Sequence, residues 1–180
     1  PHTVDTGIAH GTVTVLMGRE GFEVTTYRID GEYEDSRHPR EVTYTSSLEE
    51  DLKRRDFTIN AMAYNEREGL VDLFEGCRDL EEGRVRCVGD PQERFSEDAL
   101  RMMRAVRFCA QLGFSLEENT AEAVKDQVSS LGRISAERVQ TELVKLLVSP
   151  NPGELRRAWE LGITGVVLPE FDRMMEQPQN

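Results

Sequence analysis

The chain has 180 residues, of which 38% are hydrophobic and 31% are charged, and its formal net charge is −12 at pH 7. This composition is typical of a folded globular protein and excludes an intrinsically disordered chain. No apolar run approaches the roughly 20 residues that a membrane-spanning helix requires. The net negative charge by itself argues against a nucleic-acid partner, but local clusters of arginine leave that question open.

The cysteines match no metal-binding pattern. Cys77, Cys87 and Cys109 have spacings unlike those of zinc sites, and their odd number argues against a disulfide framework. We therefore expect free thiols and a cytoplasmic location. The chain starts at Pro1 rather than at a methionine, so we expect it to be part of a longer protein.

The first third of the chain is predicted to be rich in strands. Residues 11–16 and 22–29 are β-branched and apolar, and the turn signal at residues 18–21 separates them, which predicts an antiparallel hairpin. Residues 30–46 are polar and contain glycine and proline, which predicts a long loop.

Helices dominate the rest of the predicted structure. Ser47 and Glu50 form a capping-box pattern that predicts a helix running towards Tyr64, and a short strand is predicted at residues 70–74. Four further helices are predicted at residues 96–112, 118–129, 135–148 and 152–161. Strands followed by a run of helices indicate an α+β fold with a boundary near residue 90, giving domains at 1–90 and 91–180.

The predicted helix that begins at Ser96 has two interpretations. In the structural one, Ser96 caps the helix, Glu97 and Asp98 favour its dipole, and Glu97 pairs with Arg101 four residues later. This interpretation accounts for the acids but leaves the arginines unexplained. Three of them follow one another at a spacing of three residues: Arg101, Arg104 and Arg107.

In the functional interpretation, Asp98 and Arg101 read the edge of a nucleotide base. The carboxylate would accept a hydrogen bond from an exocyclic amino group, and the guanidinium would donate to the neighbouring ring nitrogen or carbonyl oxygen. Cytosine and adenine present that order of groups, whereas uracil and guanine do not. Arg104 and Arg107 would then face a triphosphate, because the guanidinium geometry suits phosphate oxygens.

Two further sets of residues are candidates for the same site. In the segment 54–61, Arg55 could hold phosphate while Asp56 and Asn60 bond ribose hydroxyls, although an ordinary amphipathic helix with a surface ion pair explains the pattern too. Glu23 lies in a predicted strand and could be a Mg²⁺ ligand only with partners, since this ion prefers several oxygen ligands.

Taken together, the segments 10–15, 22–28, 54–63, 90–114 and 135–146 resemble the bacterial class II tRNA nucleotidyltransferases, in the family's order. These enzymes belong to the polymerase-β-like nucleotidyltransferase superfamily. The resemblance implies a partial nucleotidyltransferase head at 1–90 and an all-α neck at 91–180. It also implies addition of C, C and A to the tRNA 3′ end from CTP and ATP, with Mg²⁺ as the cofactor and no membrane partner.

The resemblance also assigns roles to individual residues. It implies that Glu23 is the third carboxylate of the catalytic metal cluster and that Glu97 orients Arg101. The nucleotide-binding residues that it implies are Arg55, Asp56, Asn60, Glu97, Asp98, Arg101, Arg104 and Arg107. The loop of residues 30–46, which includes Asp35, Arg37, Pro39 and Arg40, favours addition of the terminal adenosine.

One departure from the family pattern affects the expected activity. The family's Gly-Gly-x-x-Arg-Asp segment and its Asp-x-Asp pair do not occur in this sequence. We therefore expect this chain alone neither to transfer nucleotides nor to bind tRNA tightly. Three alternatives remain open at this point: a poly(A) polymerase, an enzyme that adds only adenosine, and a non-catalytic nucleotide- or RNA-binding remnant.

Overall fold

A computed structural model describes residues 2–7, 11–31 and 42–177. It confirms the predicted α+β class, with small antiparallel sheets in the first half and helices in the second. Most of the predicted 30–46 loop, including the four residues expected to favour adenosine addition, lies outside the described residues.

The first three strands form one antiparallel sheet. They are β1 (His2–Gly7), β2 (Thr12–Met17) and β3 (Glu20–Thr25). The turn between β2 and β3 contains Gly18, whose φ of 68° is a conformation that glycine adopts without steric cost. The predicted hairpin is therefore confirmed, although β3 ends at Thr25 and the chain continues as a separate strand.

A second hairpin lies at the ends of the predicted loop. Its strands are β4 (Arg28–Asp30) and β5 (Val42–Tyr44), which pair antiparallel with Arg28 opposite Tyr44. The predicted loop therefore includes strand residues near both ends, because Asp30 belongs to β4 and Val42–Tyr44 form β5.

The predicted helix from Ser47 to Tyr64 is wrong beyond its first turns. Ser47 does cap a helix, since its hydroxyl accepts a hydrogen bond from the Glu50 amide at 3.3 Å, but its own amide donates to the Thr45 hydroxyl at 3.1 Å rather than to Glu50. The helix α1 covers only Leu48–Lys53. A 3-10 turn follows at Thr58–Asn60. The strands β6 (Met62–Asn65) and β7 (Gly69–Asp72) then form a hairpin.

Tertiary contacts explain why the helix ends at Lys53 instead of continuing to Tyr64. Phe57, Thr58 and Ala61 have no exposed surface, and the Thr58 hydroxyl donates to the buried Asp79 carboxylate at 2.6 Å. Burial of these side chains overrides the helical tendency of the segment.

The predicted helix at 96–112 is in fact two helices, α3 (Pro91–Glu97) and α4 (Leu100–Leu112). Asp98 separates them with an extended backbone, φ −144° and ψ 102°. Ser96 therefore lies in the last turn of α3, where its hydroxyl donates to the Glu93 carbonyl at 2.8 Å, and does not cap a helix.

The remaining elements complete the chain. Two short strands, β8 (Arg84–Val85) and β9 (Ser115–Leu116), form a parallel pair that was not predicted, and α2 (Gly76–Glu81) precedes them. The later helices are α5 (Glu118–Gln127), α6 (Ala136–Leu147), α7 (Leu155–Glu160), α8 (Ile163–Val167) and α9 (Pro169–Met175).

The main hydrophobic core is built on α4. Met102, Val106 and Ala110 are fully buried on this helix and share one cluster with Phe57 from the first half and Ile163 from α8. This core joins residues on both sides of the predicted boundary at residue 90, and the division into two domains stays a prediction. None of the helices among the described residues has the length and apolarity that crossing a bilayer would require.

Candidate functional site

A pocket of about 700 Å³ opens between the β2–β3 hairpin, the segment that follows α1, and the start of α4. Its lining residues are Thr12, Thr25, Arg28, Arg54, Arg55, Asp56, Asn60, Asp98, Leu100, Arg101, Arg104, Phe108 and Arg138. Six of them are arginines and two are aspartates, so the pocket is locally positive in a chain whose net charge is −12. A positive cleft of this kind favours a polyanionic ligand.

Asp56 joins the two halves of the pocket. Its Oδ1 accepts from the Phe57 amide at 2.8 Å and from Asn60 Nδ2 at 3.1 Å. Its Oδ2 accepts two hydrogen bonds from Arg104 of α4, at 2.8 and 2.5 Å. Burial of Asp56 raises its pKa, but the charge of Arg104 and these hydrogen bonds outweigh burial and leave the pKa below its usual value.

These contacts indicate a role for Asp56 other than the predicted bond to a ribose hydroxyl. Asp56 was expected to bond a ribose hydroxyl, whereas in this structure both of its oxygens bind protein donors. Arg104 was expected to face phosphate, and it lines the pocket while Asp56 holds its guanidinium. Asp56 therefore sets the position of Arg104 and Asn60 in the absence of a ligand.

Glu97, Asp98 and Arg101 lie together at the junction of α3 and α4. Glu97 Oε2 accepts from Arg101 Nη1 at 2.5 Å, as the predicted pair requires, although the two residues belong to different helices. Arg101 also donates to two backbone carbonyls, those of Arg94 and Arg54, both at 3.1 Å. The guanidinium is thus fixed in one orientation at the pocket wall.

Asp98 is held beside Arg101 by its own contacts. Oδ1 accepts from the Leu100 amide at 3.1 Å, which caps the start of α4, and Oδ2 accepts from Arg138 of α6 at 2.7 Å. A carboxylate has about four lone-pair sites, so it can accept a further hydrogen bond from a ligand. The structure therefore brings the predicted base-reading pair into one pocket and adds Arg138 to it.

Arg107 does not enter the pocket, contrary to the predicted placement beside Arg104. Its guanidinium donates to Glu142 of α6 at 2.5 Å and lies 3.9 Å from the centroid of the Phe108 ring, with only 7% of the residue exposed. Each step of three residues along a helix turns a side chain by roughly 60°. Arg107 consequently points about 120° away from Arg101, towards α6.

Asp51, which the sequence did not single out, lies behind the pocket and binds three of its lining residues. It is 2% exposed, and its carboxylate accepts from Arg54 Nη2 at 2.6 Å, from Arg55 Nη2 at 3.1 Å and from the Arg28 amide at 3.2 Å. Burial raises the pKa of Asp51, but the hydrogen bonds from Arg54 and Arg28 and the charge of Arg54 outweigh it and lower the pKa.

A second buried carboxylate supports the turn that carries Asn60. Asp79 of α2 is 1% exposed and accepts from the Thr58 hydroxyl at 2.6 Å and from Arg86 Nε at 2.9 Å. Gly76 of the same helix approaches so closely that an added Cβ would lie 2.4 Å from the Thr58 carbonyl oxygen. The residue at this position must therefore be very small.

Glu23 lies on the sheet face that contributes to the pocket, but it is not among the pocket's lining residues. It is exposed on β3, pairs with Thr14, and shares its face with Thr25, two residues further along. Among residues 2–7, 11–31 and 42–177, no group of three histidine, cysteine, aspartate or glutamate side chains could hold a metal ion. The described carboxylates therefore do not form the expected Mg²⁺ site, and Glu23 could supply one ligand at most.

The three cysteines are free, as predicted. Burial raises the pKa of Cys87 to about 12 and that of Cys109 to about 12. These two thiols therefore remain protonated and unreactive near neutral pH.

Comparisons with known proteins point to one family of enzymes. A family model described as "Poly A polymerase head domain" matches residues 1–86, and one described as "Probable RNA and SrmB- binding site of polymerase A" matches residues 113–175. The chain is 55% identical, over 83% of its length, to the CCA-adding enzyme of Lactobacillus helveticus (strain DPC 4571). It is 49% identical, over 96% of its length, to that of Lactiplantibacillus plantarum (strain ATCC BAA-793 / NCIMB 8826 / WCFS1).

Solved structures give the same result. The chain resembles the Bacillus stearothermophilus CCA-adding enzyme in complex with CTP, with a TM-score of 0.83 and 44% identity over 91% of this chain and 39% of the other. It also resembles the Thermotoga maritima CCA-adding enzyme complexed with tRNA, with a TM-score of 0.71 and 32% identity over 88% of this chain and 36% of the other. The chain spans 37% and 41% of the two curated relatives named above.

Proposed function

This chain belongs to the nucleotidyltransferase family of the CCA-adding enzymes, and we propose that it supplies the nucleotide-selecting part of an enzyme that adds C, C and A to the 3′ end of tRNA. The observation that carries this proposal is the arginine-lined pocket in which Asp98 and Arg101 lie side by side. In the complete reaction, the tRNA 3′ hydroxyl attacks the α-phosphate of CTP or ATP and pyrophosphate leaves. Such an enzyme would act in the cytoplasm.

Selection of the base rests on Asp98 and Arg101. The Asp98 carboxylate accepts the amino hydrogen of cytosine or adenine, and Arg101 donates to the adjacent ring nitrogen or carbonyl oxygen. Because Glu97 and two backbone carbonyls fix the guanidinium, it does not turn to accommodate a base with the opposite order of groups. UTP and GTP would leave a donor facing a donor at this pair.

The sugar and phosphates are assigned to the other lining residues. Asn60 bonds a ribose hydroxyl in this proposal, and Arg55 and Arg104 bind phosphate oxygens; the support is that all three line the pocket. Arg28 and Arg54, which the sequence did not single out, add positive charge to the same pocket. Binding in one orientation lowers the entropic cost of reaching the transition state.

Mg²⁺ remains an expectation from the family resemblance, because the described carboxylates form no site for it. We propose that Glu23 contributes one carboxylate and that further acidic residues are required. The 180-residue chain by itself would then bind nucleotides without transferring them, and it would bind tRNA weakly. A chain this acidic offers little general attraction for a polyanion outside the pocket.

Calorimetry with the four ribonucleoside triphosphates tests the proposal. We expect the folded chain to bind CTP and ATP but to bind UTP and GTP at least about tenfold more weakly, since one bidentate base contact is worth roughly 1–3 kcal/mol. Asp98→Ala and Arg101→Ala should each remove that preference. Glu137→Ala, an exposed acid on α6, is the matched control and should leave it unchanged. Equal binding of all four nucleotides by the parent chain would refute base selection.

The relatives named above bear on the alternatives. Both curated relatives are CCA-adding enzymes, which favours CCA addition over poly(A) synthesis or addition of adenosine alone. The same calorimetry separates these alternatives, because an enzyme specific for adenosine would bind ATP and reject CTP. An Asp-x-Asp segment encoded upstream in the parent reading frame would argue against a non-catalytic nucleotide- or RNA-binding remnant.

A further inference from the structure

Asp51 is the buried carboxylate on which three of the pocket's lining residues converge. Its side chain is 3% exposed, whereas that of Arg54 is 19% exposed and that of Arg55 is 44% exposed. Oδ1 accepts from Arg54 Nε at 3.1 Å and Nη2 at 2.6 Å and from the Arg28 amide at 3.2 Å. Oδ2 accepts from Arg55 Nη2 at 3.1 Å.

This arrangement fixes two cations next to each other. Arg54 and Arg55 are consecutive in the chain, and both line the pocket. Two guanidinium groups at one rim repel each other, and long side chains lose considerable rotamer entropy when they are ordered. A single carboxylate placed between them offsets the repulsion and orders both groups before any ligand arrives.

The third contact extends this effect to the neighbouring hairpin. Arg28 is the first residue of β4, and its amide donates to the same Asp51 oxygen that binds Arg54. Asp51 therefore ties the base of the β4–β5 hairpin to the arginine pair. A shift of β4 would strain the hydrogen bonds that orient Arg54.

We infer that Asp51 is a positioning residue that holds Arg54 and Arg55 ready to bind the phosphates of the incoming nucleotide. This inference rests on the proposed function, because it assumes that the pocket takes a nucleoside triphosphate. Asp51 itself contacts no ligand, and it acts only through the two guanidinium groups. It therefore contributes to the preference for three phosphates over one, and it contributes nothing to the choice of base.

Simple electrostatics makes the opposite prediction. Removing a negative charge from the pocket rim would strengthen attraction for a triphosphate if the arginines stayed in place. Positioning predicts weaker binding, because guanidinium groups that have lost the Asp51 carboxylate must be ordered in part by the ligand itself. The sign of the change in affinity therefore decides between the two explanations.

The test compares Asp51→Asn with Glu49→Gln, which removes one negative charge from an exposed position on the same helix. Calorimetry would measure binding of CTP and CMP to the folded chain, and thermal unfolding would check that each variant is native. We expect Asp51→Asn to weaken CTP binding about tenfold, as loss of one charge-assisted contact does, and to reduce the advantage of CTP over CMP. Glu49→Gln should change neither quantity, and both variants should keep the preference of CTP over UTP.

Two further variants test whether Asp51 acts through the position of its carboxylate and through the two arginines. Asp51→Glu retains the charge but displaces the carboxylate, and it should also reduce the advantage of CTP over CMP; it replaces Asp51→Asn if that variant does not fold. In a chain that carries both Arg54→Ala and Arg55→Ala, Asp51→Asn should have no additional effect, because the groups through which it acts are gone.

The outcomes are distinguishable from those that test the proposed function. If the parent chain prefers CTP and ATP but Asp51→Asn binds CTP as well as or better than the parent, the inference is wrong and the proposed function stands. A full tenfold effect of Asp51→Asn in the chain without the two arginines would also overturn it. If the parent chain binds the four triphosphates equally, the proposed function fails, and the inference fails with it.

Discussion

The two sides of the pocket are built in different ways. On one side, the hairpin presents Thr12 and Thr25, whose hydroxyls lie 3.0 Å apart on an exposed sheet. On the other side, arginines that line the pocket are held by carboxylates that are themselves buried, such as Asp51 and Asp56. The charged side is therefore ordered by buried carboxylates before a ligand binds, whereas the two threonines lie on an exposed sheet and bond to each other.

The largest loss of stability is expected when Asp56, which binds Arg104, Phe57 and Asn60, is replaced. Asp56→Ala would leave the Arg104 guanidinium, the Phe57 amide and the Asn60 amide without the carboxylate that they share. Loss of one partner of a buried ion pair costs about 3–5 kcal/mol; because the Arg104 side chain is 35% exposed, we expect a loss at the lower end of that range, about 3 kcal/mol in unfolding free energy. Urea denaturation would measure it. A loss below about 1 kcal/mol would mean that the pair is not formed in solution.

A smaller loss of stability is expected where α2 packs against the Thr58–Asn60 turn. Gly76→Ala would place a methyl group 2.4 Å from the Thr58 carbonyl and 2.9 Å from the Met62 sulfur. We expect a loss of about 2 kcal/mol in stability, because overpacking forces the backbone to move. Gly153→Ala is the control, since no atom lies within 4 Å of the Cβ that it would add. Equal stability of the two variants would contradict the tight approach of α2 to the Thr58–Asn60 turn.

Acid conditions should reduce the stability that the Asp56–Arg104 ion pair contributes. The pKa of Asp56 in the folded chain is lowered: burial raises it, but the charge of Arg104 and the hydrogen bonds outweigh burial. The stabilisation is therefore fully present above the unfolded pKa near 3.8 and is lost as the pH falls through the folded pKa. Denaturation curves between pH 6 and about pH 3 should show the stability difference between the parent chain and Asp56→Asn shrinking. A difference that does not change with pH would contradict this linkage.

The smallest effect is expected on the hairpin side. Val24→Thr replaces an apolar residue that is 53% exposed on the sheet face opposite Thr25. Surface substitutions of this kind usually change stability by less than about 0.5 kcal/mol, and we expect the same here. The unfolding free energy measures it directly. A loss above about 2 kcal/mol would mean that this face is covered in solution, and the contrast between the two sides would then be smaller.

Local patterns predicted the β2–β3 hairpin and the helices α5 and α6 well. The Ser47 cap, the glycine turn at residue 18 and the apolar face of α4 each act over a few neighbouring residues, so the sequence displays them directly. Predictions failed where distant contacts decide. The segment after α1 leaves the helix because Phe57 and Thr58 are buried against partners more than 20 residues away.

The candidate site shows the same difference between residues that local patterns predict and residues whose role depends on distant contacts. Asp98 and Arg101 were predicted from residue types and motif resemblance, and the structure places both in the pocket. Arg107 shares their spacing but turns towards Glu142, a residue 35 positions away that helical periodicity cannot reveal. Asp51 was overlooked because it follows Glu49 and Glu50 and looks like part of an ordinary acidic helix turn. Only its burial against two arginines distinguishes it.

A crystal structure of this chain with CTP bound would test the central claim most directly. We expect the cytosine amino group to lie within about 3 Å of the Asp98 carboxylate, with Arg101 donating to the ring, and the phosphates to contact Arg55 and Arg104. CTP bound with its base away from α4, or with its phosphates outside the arginine pocket, would contradict it.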